Sequence, residues 1–146
     1  VQPRHITLDP GGPERDLGPE RVPYMWPFRT LLDSGATLAF GTDSPVTDID
    51  PIDAVYTAVT RRDADTHEPL GGWLPEERIT LAEALRAYTA GSAAAAQRAD
   101  ELGQLAPGMF ADIVVLDPNP FELAPDDLQQ AKVQATYVAG KKVYER

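Results

Sequence analysis

The chain has 146 residues, 42% of them hydrophobic, which suffices for one modest core, and no stretch approaches the roughly 18 consecutive apolar residues of a membrane span. A formal net charge of -10, with 13 basic residues scattered among 23 acidic ones, excludes a basic surface that would displace counterions from nucleic acid. There is no cysteine, hence neither a disulfide framework nor a thiolate zinc site, and no secretory leader is visible, so a cytoplasmic setting is the expectation.

In chain order, "VQP" reads as the tail of a strand cut off by Pro3. Arg4 to Pro23 reads as a loop, punctuated by Gly11-Gly12-Pro13 and Gly18-Pro19. "PYMWPFRTLLDSG" places Phe28, Leu31 and Leu32 at helical spacing and stops at Gly35, a residue suited to the left-handed position after a helix. The apolar run "TLAF", Thr37 to Phe40, reads as a strand and leads into Gly41-Thr42-Asp43-Ser44-Pro45. In "DIDPIDAVYTAVTRR", Asp50 takes the N-cap, Pro51 the first helical position and Asp53 the first turn, with Ile52, Val55, Tyr56 and Val59 on one face.

Arg61 and Arg62 close that helix, where cations complement the negative end of the dipole. A polar excursion follows, carrying His67 and Trp73. "TLAEALRAYTAG" opens on a capping box, Thr80 with Glu83, and "SAAAAQRA" reads as a further helix capped by Ser92. After Pro107-Gly108, Ile113 to Leu116 is a β-branched strand, and Val133 to Tyr144 alternates around Ala139-Gly140 as a hairpin.

A buried strand that ends on a carboxylate needs a reason. Asp43 before Ser-Pro is good turn chemistry, since its carboxylate accepts nearby backbone hydrogen bonds and Pro45 presets φ. In parallel α/β barrels, however, strand ends are also where reacting groups sit. Both readings stand on local residues alone.

Five ordered blocks bear on the choice: "LAFGTDSPV", "DPIDAVYTAVTR", "TLAEALRAYTAGSAAAA", "GQLAPGMFADIVVLD" and "VQATYVAGKKVYE". Together they resemble the C-terminal portion of the metal-dependent amidohydrolases, in particular the amidohydrolase-3 or YtcJ-like branch. The resemblance implies an α/β fold, the C-terminal part of a (β/α)8 barrel followed by strands of a small β-sandwich. Residues 1–100 would carry barrel strands seven ("VQP") and eight ("TLAFGTD") with their helices, and residues 101–146 the C-terminal strands of the sandwich. Asp43 would be the carboxylate at the end of strand eight, a metal ligand and the group that accepts a proton from the metal-bound water. His5 would stand on the active face as a substrate contact, with ordinary solvation as the competing reading, while His67 reads as a loop residue and Trp26 and Trp73 as packing residues, with lining of a substrate pocket as their alternative.

The same resemblance implies a small-molecule substrate with an amide or formamide-like carbon-nitrogen bond, and a divalent metal, zinc, in the whole enzyme. The family's histidine-rich metal-binding segments have no counterpart in this chain. It is therefore expected to be a C-terminal fragment that is inactive alone, holds no metal tightly and self-associates. The alternative is a non-catalytic remnant or self-associating domain. Neither reading calls for nucleic acid or a membrane.

Overall fold

A computed structural model describes residues 1–146. Five helices, several single helical turns and one three-stranded sheet make up the molecule, and all of the sheet lies in the last third of the chain.

Helix α3, Pro51–Thr60, is the centre of the helical part. It starts where capping chemistry demands: the Asp50 carboxylate accepts the N–H of Ile52 at 2.9 Å, and Pro51 occupies the first turn, where no amide is required. The apolar stripe anticipated along one face is only part of its burial. Ala54, Thr57, Ala58 and Thr60 are buried as well, because small side chains let other segments close over the remaining faces.

One core gathers Phe28 of helix α2 (Phe28–Asp33), Leu38, Phe40, Val55, Ala58, Ile79 and Ala84 of helix α4 (Leu81–Arg86). Phe40 is its aromatic centre, 5.1 Å from the Phe28 ring and 5.6 Å from the Tyr88 ring. Aromatic pairs of this kind contribute about 0.5–1.5 kcal/mol beyond simple burial. Gly35 does take a left-handed φ of 86° behind α2.

Helix α4 opens on the expected capping box: the Glu83 N–H donates to the Thr80 hydroxyl at 3.3 Å, and the Thr80 N–H donates to the Glu83 carboxylate at 2.7 Å. Arg29 of α2 also pairs with Glu83, so one carboxylate caps a helix and ties it to its neighbour. The helix expected at Ser92 is present but short, and it is continuous with the one before it. The chain passes from α4 through a π turn, Ala87–Gly91, directly into α5, Ser92–Ala95, and the Ser92 hydroxyl caps nothing.

Two further expectations are corrected. Arg4 to Pro23 is not an irregular loop: it contains a 3₁₀ turn at Pro3–Thr7, helix α1 at Gly12–Leu17 and a 3₁₀ turn at Val22–Tyr24. Neither "VQP" nor "TLAF" forms a strand here. They lie side by side, with the Val1 amine donating to Ala39 O at 2.7 Å and the Gly41 N–H donating to Val1 O at 3.3 Å, the first rung of a parallel pair that extends no further. Pro3 supplies no amide for the next rung, and the chain turns into the 3₁₀ segment at that point.

Strands β1 (Ile113–Asp117), β2 (Lys132–Val138) and β3 (Lys141–Glu145) form an antiparallel sheet in the order β1-β2-β3. Val114 pairs with Thr136 and Thr136 with Tyr144, and the β2–β3 turn places Ala139 and Gly140 at positive φ, as a two-residue hairpin requires. The segment Pro125–Gln130 joins this part to α3. Leu128 is buried beside Tyr56 and Ala64, and the Gln129 amide donates to Asp53 at 2.7 Å and to Ala64 O at 2.9 Å.

Candidate active site

Asp43 follows the segment Leu38–Gly41 and sits at a φ of 58°, in the left-handed region, which a short polar side chain tolerates and most residues avoid. The turn is locked from below. The Val46 N–H donates to Asp43 O at 2.8 Å, and the buried Thr47 hydroxyl donates to Thr42 O. These bonds engage backbone atoms, so the turn chemistry leaves the carboxylate itself uncommitted. Its side chain is 53% exposed.

His5 comes from the Pro3–Thr7 turn, which packs against α3. Its Nε2 lies 3.8 Å from Asp43 Oδ2, too far for a hydrogen bond, and that nitrogen is buried with no partner. The structure thus brings together the two residues that the sequence placed 38 positions apart. A buried nitrogen facing a half-open carboxylate is a polar gap rather than a finished contact.

The neighbouring Arg4 holds the turn in place. Its guanidinium pairs with Asp65 at 2.9 Å and lies 3.9 Å from Asp63, just beyond the end of α3. Burial alone would raise the Asp63 carboxyl, but hydrogen bonds from the Asp65 and Thr66 N–H groups and the Thr66 hydroxyl outweigh it and hold the group below the usual carboxylate range.

A cleft of about 390 Å³ lies beside this pair rather than on it. Ile6, Thr7, Asp9, Asp63 and Trp73 are among its lining residues, and His5 and Asp43 are not. His67 is turned away from the pair: its Nδ1 is hydrogen-bonded to the Tyr56 hydroxyl at 3.2 Å, in the middle of α3, although its neighbours Thr66 and Glu68 line the cleft. Trp26 and Trp73 meet edge to face at 6.0 Å.

Arg61 is the residue that sequence reasoning misjudged. It is not a surface cation at a helix end: it is fully buried at a φ of 62°, with its guanidinium 5.3 Å from the ring centroids of both Phe28 and Trp73. It donates to Trp73 O at 2.9 Å and to Trp26 O at 3.0 Å. Burial pulls its pKa down to about 10. The one sequence signal was the cluster of Trp26, Phe28 and Trp73, whose rings could receive a guanidinium, but their approach to Arg61 is a long-range event.

As a metal site the pair is incomplete. No group of three or more histidine, cysteine, aspartate or glutamate side chains converges anywhere in the chain. A catalytic zinc takes about three protein ligands and keeps one position open. Asp43 and the unpartnered nitrogen of His5 supply two donors at most, so they fit part of a metal centre and not a whole one.

The fold is shared with known proteins. The amidohydrolase family model matches residues 1–144, and the chain belongs to that family. It is 41% identical over 99% of its length to the protein LONG AFTER FAR-RED 3 of Arabidopsis thaliana, covering 24% of that protein. It is 36% identical over 84% of its length to the N-substituted formamide deformylase of Arthrobacter pascens, covering 22% of that protein. Among solved structures, an uncharacterized metal-dependent hydrolase from Pyrococcus furiosus superimposes with a TM-score of 0.61 at 32% identity, over 75% of this chain and 21% of that one. The chain spans about a quarter of the length of the curated relatives it matches.

Proposed function

We propose that this chain is the C-terminal part of a hydrolase that cleaves a carbon-nitrogen bond in a small molecule, of the amide or formamide class, with Asp43 as proton acceptor and donor. The family membership and the formamide deformylase relative support the reaction class. The single observation that carries the site is the approach of His5 Nε2, buried and unpartnered, to the Asp43 carboxylate at 3.8 Å.

In this reading residues 1–100 complete a barrel and residues 101–146 a sandwich, each with segments from outside this chain. Asp43, together with ligands from outside the chain, would hold a divalent metal, zinc in our reading, which would lower the pKa of a water. Asp43 then accepts a proton at Oδ2 as the carbonyl is attacked and returns it to the departing nitrogen, for which its exposure and uncommitted oxygens suit it. His5, whose side chain is 21% exposed beside Asp43, contacts a polar group of the substrate in this reading.

The test is Asp43→Asn in the whole protein, assayed against N-substituted formamides and simple amides. Asn keeps the size of the side chain and tolerates the left-handed φ, but cannot take the proton, so turnover should fall by roughly 10²- to 10⁴-fold. His67→Ala, altering a residue that faces Tyr56 and not the site, should leave turnover unchanged. Near-native turnover in a folded Asp43→Asn variant would remove Asp43 from the mechanism.

A further inference from the structure

The geometry points to Ser92 and Gly91 as positioning residues that set the Asp43 turn from behind, an assignment that rests on the catalytic reading of Asp43 given above.

Leu38–Gly41 forms no regular secondary structure and has no strand ladder to fix its height or register. Val1 meets Ala39 O and the Gly41 N–H, and the π turn meets both polar groups of Phe40. The Phe40 N–H donates to Ala87 O at 3.1 Å, and the Ser92 hydroxyl lies 2.8 Å from Phe40 O and 2.9 Å from Ala87 O, so a single proton serves two carbonyls. Both backbone groups of Phe40, three residues before Asp43, are therefore held by one helical turn.

Such an approach demands a residue without a side chain. A Cβ on Gly91 would stand 1.9 Å from Leu38 O, against backbone that cannot swing aside. The π turn adds one residue to the helical ring, and turns of this kind recur at functional sites. Between Phe40 and Asp43 each residue is tethered in turn: Gly41 donates to Val1 O, and Thr42 O accepts from Thr47. Little slack remains between the helix and the carboxylate. A shift at Phe40 O is passed on to the aspartate.

Ser92→Ala and Ser92→Thr in the whole protein separate positioning from simple packing. Loss of the hydroxyl should lower kcat by ~10- to 100-fold with KM within a factor of ~2, because misplacement of a reacting group by about 1 Å acts on the chemical step. The threonine variant, which keeps the hydroxyl, should recover most of the loss. Ser34→Ala, which removes an exposed hydroxyl donating to Leu31 O at 2.7 Å, should change neither constant. In parallel, hydrogen exchange over the peptide spanning 38–46 should quicken roughly fivefold in Ser92→Ala, the scale of one hydrogen bond. Unchanged kcat with unchanged exchange would overturn the inference, and so would a lowered melting temperature with intact turnover per folded molecule. Absence of hydrolase activity in the wild type would refute the proposed function, while the exchange measurement would still decide whether Ser92 anchors the segment.

Discussion

Arg61 shows how far a single residue can depart from its local context. At the end of a helix a cation needs no explanation beyond the dipole, yet this one is enclosed by Phe28 and Trp73 and carries two backbone carbonyls on its guanidinium. Arg61→Ala would remove a large buried side chain and strand the carbonyl of Trp73, while the Trp26 carbonyl would keep only the Phe28 N–H. Loss of a comparable side chain from a core costs about 2–5 kcal/mol. Denaturant unfolding of the variant should show a loss on that scale, whereas a loss below about 0.5 kcal/mol, typical of surface positions, would mean that the guanidinium contributes no more than an exposed one. Asp43 differs in kind: its position costs backbone strain and gains no packing, since its side chain is half exposed.

At the scale of elements, one carboxylate joins two helices. Glu83 caps α4 through Thr80 and pairs with Arg29 of α2. The Arg29 guanidinium, opposed only in part by burial and helped by the Thr80 hydrogen bonds, depresses the Glu83 pKa from 4.5 to about 2. The folded state therefore holds this group ionised more readily than the unfolded chain does, so its contribution to stability is complete above about pH 4.5 and is lost as pH falls through about 2. Glu83→Gln should be less stable near neutrality and should lose less stability than the wild type on acidification across that window. Circular dichroism during acid titration measures it, and parallel curves for the two proteins would rule the linkage out. The capping box was legible from Thr80 and Glu83 three residues apart. Arg29, 54 residues from Glu83, was not.

For the whole molecule, the sheet is the least protected region. Val114, Val115, Val138, Val143 and Tyr144 are all exposed, and β1 and β3 are both unpaired at their outer edges. Exposed apolar strands with free edges pair with whatever chain offers itself. We expect the 146 residues on their own to self-associate, as read by light scattering across a concentration series, and to retain no stoichiometric metal after dialysis, since two donors hold a divalent ion weakly. A strictly monomeric species would show that these edges are inert, and a tightly held zinc would show that the chain completes a metal centre unaided. No helix is long and apolar enough to cross a membrane.

What the sequence determined by itself was set by neighbours a few residues apart. Asp50 and Pro51 start α3, Thr80 and Glu83 start α4, and Ala139-Gly140 turns the hairpin, because capping and turn formation are completed within about four residues. The family blocks were legible for the same reason, as ordered local strings. Tertiary structure alone decided that His5 faces Asp43, that Arg61 is buried between aromatic rings, and that Gly91-Ser92 is a contact surface inside a continuous helical run rather than a boundary between two helices. It also decided that "TLAF" takes its hydrogen bonds from Val1 and a π turn instead of a strand ladder. Each of these outcomes depends on which distant segment arrives to satisfy a buried polar group, and that choice belongs to packing, not to local propensity.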